Sequence, residues 1–187
     1  VLTYSPLPRA RRNTPQGASV DLILDINPTW RLVCLFVLGT VLGGQINRGI
    51  YRLAWFPRAI GPWSKPHADA TGRRWFDYLP VAGWLTLRRE SHLHGATYWL
   101  RPVALELLAG LGLAGLYWWE VLSDGLAPVG PWQSRSILQL HGQFLSHALL
   151  LCLMTVATFI DFDEKTIPDT ITVPGTLCGL FLAALLP

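Results

Sequence analysis

Four apolar runs, at residues 32–46, 103–119, 136–162 and 171–186, take up so much of the chain that little polar sequence is left to cover a water-soluble core. Hydrophobic residues fill 51% of the 187 positions and charged ones 14%, against about 25% charged in an ordinary soluble domain. Such a chain is expected to hide its apolar faces in lipid. A helix crosses the hydrocarbon core with about 20 residues, so the first run spans only if positions 30–51 are included, whereas the third is long enough to cross and emerge. Trp30, Trp55, Trp99, Trp118 and Trp119 sit near the edges of these runs, as indole rings do at a membrane–water boundary. The expected fold is all-α, a polytopic membrane helix bundle, in one domain or a small multipass unit.

Between the runs the charge is uneven. Residues 1–29, rich in Pro, Arg and small polar residues, read as a flexible N-terminal tail without the apolar centre of a signal peptide. Residues 30–52 read as the first transmembrane helix, 53–99 as a basic loop, and 100–187 as three further helices. From Arg52 to Arg101 eight Lys or Arg face three acids, which by the positive-inside rule assigns the loop to the cytoplasm; the same charges suit contact with anionic lipid. The second run then leaves, a Pro- and Gly-rich loop over 120–135 lies outside, and the third run returns to the loop's side. Cys34, Cys152 and Cys178, each alone in an apolar run, read as inert thiols. Beginning at Val1 and ending at Pro187 within an apolar run, the sequence reads as a fragment.

Three of the twelve acids, Asp161, Asp163 and Glu164, fall within four positions at the end of the third run, and Asp169 follows five further on. An acid at the mouth of an apolar helix is costly to desolvate and marks a candidate site. Gln139, Gln143 and His147 recur every four residues, and steps of seven, four and three lead on to Met154, Thr158 and Asp161, so one helical face is expected to turn inward to the bundle. His147 on that face is read first as a hydrogen-bonding group near the outer surface. Asp163 points about 200 degrees away from Asp161 if the helix continues. Pro168 then breaks the helix, Thr172 is placed to cap the next one, and Pro174 fits its first turn. Glu106, near the start of the second run, is read as structural, paired with Arg101 or a loop arginine, and Asn47 as satisfied by Gln45 or nearby backbone.

The stretch 159–175, F-I-D-F-D-E-K-T-I-P-D-T-I-T-V-P-G, resembles the first aspartate motif of the type IV prepilin peptidases, I-D-x-D-x-x-x-I-P-D followed by T-x-x-P-G. Two further blocks agree. Residues 43–53, G-G-Q-I-N-R-G-I-Y-R-L, are similar to the family's G-S-F-L-N-V-V-I-Y-R-L, sharing Gly43, Asn47, Ile50, Tyr51, Arg52 and Leu53. Residues 75–87, W-F-D-Y-L-P-V-A-G-W-L-T-L, resemble W-Y-D-N-I-P-V-L-S-W-L, and Gly95, Arg101 and Glu106 keep the register of C-G-x-x-I-S-x-R-Y-P-x-V-E. The resemblance covers roughly residues 43–175. It departs where many members carry two C-x-x-C pairs that bind zinc: here stand Lys65, Pro66, His67 and Ala68, then Ser91, His92, Leu93 and His94. Three histidines without thiolates fall short of the four donors of tetrahedral zinc, so no structural zinc is expected, and the loop is expected to hold its shape by packing of Trp75, Trp84 and Tyr98.

The resemblance implies a membrane aspartic endopeptidase of the bacterial inner membrane. Its substrates would be prepilins of type IV pili or pseudopilins of type II secretion, cleaved behind a basic leader at the cytoplasmic face. Membrane lipids are partners; nucleic acid is not. Proteolysis of this type requires no cofactor; bifunctional members also methylate the new amino terminus with S-adenosylmethionine, and the cysteine-bearing loop associated with such members has no thiols here. Peptide hydrolysis by carboxylates needs two that share a proton, one activating water and the other protonating the carbonyl oxygen. By the motif Asp161 is the first catalytic carboxylate. The family places the second in a later G-x-G-D, which does not occur in these residues. Asp169 is the secondary candidate, its first role being to order the turn. Two other readings stay open: a non-catalytic membrane assembly subunit or inactive fragment that keeps one acid, and a transporter fragment with Asp161 and His147 on a proton path.

Overall fold

The computed structural model describes residues 26–123, 125 and 137–185. Most of the tail expected over 1–29, most of the outer loop expected over 120–135, and the last two residues lie outside the described residues. Helix α1 spans Pro28–Leu53, begun by Asn27, whose side chain accepts the Thr29 N–H at 2.9 Å, and by a proline in the first turn. The loop after it carries a 3-10 turn Trp75–Tyr78, α2 Ala82–Leu87, a second 3-10 turn Arg88–Glu90 and α3 Ser91–His94. Helix α4, Leu100–Tyr117, continues as a π-helical turn Trp118–Leu122; α5 is Ile137–Glu164 and α6 is Asp169–Leu185. No strand occurs among the described residues.

Helix α1, α4 with its π turn, and α5 are each long and apolar enough to cross a membrane. The all-α membrane bundle read from the sequence is thus borne out, and this is a membrane protein. Leu108, Leu111, Leu150 and Leu151 on the outer faces of α4 and α5 are exposed, as lipid-facing side chains are.

Small residues set how α1 and α4 meet. A Cβ on Gly39 would lie 2.6 Å from the Ala109 carbonyl oxygen, one on Gly43 2.6 Å from the Glu106 Cα, and one on Gly110 2.8 Å from Thr40 Cγ2. The backbones therefore touch, the contact that drives helix pairing where no hydrophobic effect separates helix from lipid. At one end Ile46, Ile50, Leu105, Val156, Ile160 and Ile171 join α1, α4, α5 and α6 in one cluster; at the other Leu113, Tyr117, Phe144 and Ala148 join α4 to α5.

Three boundaries differ from those expected. Helix α5 runs on to Glu164, so Asp163 and Glu164 are helical. Helix α6 begins at Asp169, not after Thr172. Thr172 is thus inside the helix, where its carbonyl accepts the Thr176 hydroxyl at 2.8 Å, while the Pro168 carbonyl takes the N–H groups of Ile171 and Thr172 at 3.0 and 3.3 Å. Pro174 falls past the first turn. Glu120, expected to open a loop, lies in the π turn and is buried, because His147 across the gap offers it a partner.

Candidate active site

The end of α5 is fastened by two of its three acids. Asp163 accepts from Arg101 Nη1 at 2.8 and 3.0 Å, and Arg58 approaches it at 3.7 Å. Arg101 also lies over the Phe159 ring, 4.8 Å from its centre. The Glu164 carboxylate accepts the backbone N–H groups of Trp55 at 2.6 Å and Phe56 at 3.1 Å, just past the end of α1. Asp163 thus ties α5 to the start of α4, and Glu164 ties it to the exit of α1. Asp161, on the other side of the helix, is exposed and its carboxylate has no partner among the described residues. The expected opposition of Asp161 and Asp163 is observed.

The face carrying Asp161 does not turn into the described bundle as the stripe suggested. Met154, Thr158 and Asp161 are exposed, and the buried row on α5 is Phe144, Ala148, Val156 and Ile160. The buried row packs with Ile46, Ile50 and Leu105 at one end and with Leu113 and Tyr117 at the other, and Met154, Thr158 and Asp161 lie outside those clusters. Lys165, with φ of 57°, turns the chain out of α5, and its N–H bonds the Asp161 carbonyl at 2.7 Å. Asp169 stands exposed in the first turn of α6, where a carboxylate offsets the positive helix end. No hydrogen bond joins it to Asp161.

A second acid organises the loop. Glu106 is buried on α4 and accepts from Asn47 Nδ2 at 3.3 Å, from Trp84 Nε1 at 2.9 Å and from the backbone N–H of Val81. Asn47 Nδ2 also reaches the Pro102 carbonyl at 3.0 Å. These contacts correct two expectations: Glu106 pairs with no arginine, Arg101 having turned to Asp163, and Asn47 bonds across to α4 and not to the exposed Gln45. A buried carboxylate is tolerable when several donors replace its water, and the loop supplies two of the three. Val81, at φ 61° and ψ −57°, holds a backbone conformation that a β-branched residue rarely adopts, and its N–H points at the carboxylate.

Asp77 anchors the rest of the loop. It is fully buried and receives Arg89 Nη2 at 2.6 Å and Nη1 at 3.2 Å, the Thr86 hydroxyl at 2.6 Å and the Arg74 N–H at 2.7 Å. Burial alone would raise its pKa; the Arg89 fork and the other donors outweigh it and hold the carboxyl at about 2. Arg73 pairs with buried Glu90, and the Tyr98 hydroxyl, pushed up to about 12 chiefly by burial, donates to the Leu87 carbonyl. Trp84 and Tyr98 pack as expected, but Trp75 is 76% exposed and does not. His67 lies 3.4 Å from Asp69, His92 contacts the Arg89 carbonyl at 3.2 Å, and His94 packs tilted against Tyr98. Among the described residues no three metal donors converge.

At the opposite end of the bundle His147 Nδ1 meets buried Glu120 at 2.6 Å, and Tyr117 Oη lies 3.3 Å from His141 Nε2. Sequence reasoning missed the role of Glu120, although a Glu beside a Trp pair at the end of an apolar run was a signal for a buried partner. It also missed Arg58 and Glu164.

No family model matches the chain, and no solved structure matches it. Three curated proteins do, each called "Prepilin leader peptidase/N-methyltransferase". The one from Myxococcus xanthus (strain DK1622) is 29% identical over 151 residues, covering 81% of this chain and 40% of that protein. The one from Dickeya chrysanthemi is 32% identical over 164 residues, 85% of this chain and 47% of the relative. The third, from Stutzerimonas stutzeri, is 27% identical over 180 residues, 83% and 56%. The chain spans about half the length of the curated relatives it matches.

Proposed function

We propose that this chain, similar over four-fifths of its length to prepilin leader peptidases/N-methyltransferases, is part of an aspartic endopeptidase of the bacterial inner membrane that removes the leader from prepilins or pseudopilins. One observation carries the assignment of Asp161. Of the three acids that close α5, Asp163 and Glu164 are committed to Arg101, Arg58 and the backbone of residues 55–56, whereas Asp161 keeps an unpaired, exposed carboxylate at the end of a membrane helix. A carboxylate that must accept a proton from water and meet a substrate carbonyl needs that freedom. Asp161 would act as the base toward water, with a second carboxylate supplying the proton to the carbonyl oxygen. Asp169 keeps its role in starting α6.

Two of the loop's cations serve its own fold: Arg73 and Arg89 are consumed by Glu90 and Asp77. S-adenosylmethionine, with a sulfonium cation, does not suit the cavity between the last turns of α1 and residues 57–65, whose charged lining, Arg48, Arg52, Arg58 and Lys65, is cationic throughout.

The test is to mix the purified full-length protein with a prepilin in detergent and weigh the product, with and without S-adenosylmethionine. Shortening by the leader mass supports the peptidase, and a further gain of one methyl mass shows the second activity. An unshortened prepilin would instead favour the non-catalytic assembly subunit.

A further inference from the structure

Where α1 leaves the membrane, a cleft of about 440 Å³ opens between its last turns and residues 57–65. Arg48, Arg52, Arg58 and Lys65 line it together with Tyr51 and Trp63, and no acid does. Their charges are largely unanswered. Arg48 sits over the Trp63 ring at 5.9 Å, Arg58 shares Asp163 with Arg101 at 3.7 Å, and Arg52 and Lys65 have no acidic partner among the described residues. Four cations around one cavity favour an anion that can accept several charge-assisted hydrogen bonds, and a phosphate diester does so.

The cleft is built in advance of any ligand. Arg58 N–H bonds the Tyr51 carbonyl at 2.9 Å, and the Trp63 ring packs tilted against Tyr78, their centres 5.1 Å apart. Gly61, at φ 125°, lies so close to Trp84 that a Cβ would stand 3.1 Å from the indole, and its carbonyl accepts Arg73 Nη2 at 3.4 Å. The outer wall is thus held by Trp84, which Glu106 holds in turn.

Its position selects among phosphates. Immediately past the apolar length of α1, Trp55 and Phe56 are 79% and 72% exposed, and Trp63 at the rim is half exposed. Large aromatic side chains left in this state at the end of a spanning helix sit at the level of lipid headgroups, and juxtamembrane cations are drawn to anionic leaflets. We infer that this cleft is a binding site for the headgroup of an anionic phospholipid, gripped by Arg48, Arg52, Arg58 and Lys65 with Trp63 against its glycerol. The assignment stands independently of the role of Asp161.

Native mass spectrometry of the detergent-purified protein tests it, using phosphatidylglycerol and phosphatidylcholine of equal chain length and inorganic phosphate as competitor. Phosphatidylglycerol should bind about tenfold tighter than phosphatidylcholine, from roughly two effective charge contacts at a partly screened surface. That preference should vanish in R52Q/K65Q, persist in R52K/K65R, and resist inorganic phosphate at matched concentration. Should R52Q/K65Q fail to fold, the single variants R52Q and K65Q, both at exposed positions, should each lower the preference about threefold. Equal binding of the two lipids, or a preference that survives the loss of these charges, overturns the site. Displacement by inorganic phosphate as effective as by the lipid overturns the lipid and leaves a soluble anion.

Discussion

Removing the Glu106 carboxylate should undock the loop from the membrane helices. In Glu106→Ala the Trp84 indole N–H and the Val81 backbone N–H lose their acceptor together, while Asn47 keeps the Pro102 carbonyl at 3.0 Å. Each orphaned buried donor costs roughly 1–3 kcal/mol. Relief of the carboxylate's own desolvation offsets part of this, leaving a net loss of about 3 kcal/mol. That corresponds to roughly 100-fold more frequent opening of α2. Hydrogen exchange in micelles reads it directly at Gly83, whose N–H bonds the Leu79 carbonyl at 2.8 Å, and at Leu85, bonded to the Val81 carbonyl at 3.2 Å. Glu106→Gln keeps one oxygen and turns an NH₂ toward one of the donors, so its effect should lie between wild type and alanine. Protection at Gly83 and Leu85 within about threefold of wild type in Glu106→Ala would refute the reasoning.

Gly43→Ala, which drives a Cβ to 2.6 Å from the Glu106 Cα, should lower thermal stability by about 1–3 kcal/mol. Gly112→Ala, inside α4 with nothing within 4 Å of its Cβ, should leave it unchanged or raise it by up to about 1 kcal/mol. Asp77, held at about 2 against an ordinary 3.8, adds stability that is complete above about pH 4 and fades as the pH falls toward 2. Tryptophan fluorescence should report loop release over that window, and Asp77→Asn should start less stable and lose the dependence. A double-mutant cycle on Arg101 and Asp163, whose side chains are 34% and 14% exposed, should give a coupling of roughly 1 kcal/mol that weakens with salt.

The membrane bundle was legible because composition and run length alone exclude a water-soluble core, and the opposition of Asp161 and Asp163 because helical period fixes directions once the helix continues. The register of Gly95, Arg101 and Glu106 was legible only by resemblance, since what Glu106 binds lies 22, 25 and 59 positions away, at Trp84, Val81 and Asn47. Pairing choices were the weak point. Glu106 was given Arg101 or a loop arginine because those lie near it in sequence, whereas the packed ends of α4 and α5 bring Arg101 to Asp163, 62 positions away. Val81 was illegible for a different reason: a β-branched residue argues against a positive φ, and only its N–H bond to Glu106 explains the conformation. Glu120 was misplaced because the π turn keeps the chain helical through a Trp-Trp-Glu sequence that reads as an interface.

The assignment of Asp161 is tested most directly by comparing leader cleavage in the full-length protein carrying Asp161→Asn with that carrying Asp163→Asn, each corrected for its level in the membrane. Asp161→Asn should accumulate and melt like wild type, since its carboxylate has no partner among the described residues, and should process no prepilin. Asp163→Asn should accumulate less, having lost the Arg101 tie, and still cleave. Processing by Asp161→Asn near the wild-type rate would contradict the account.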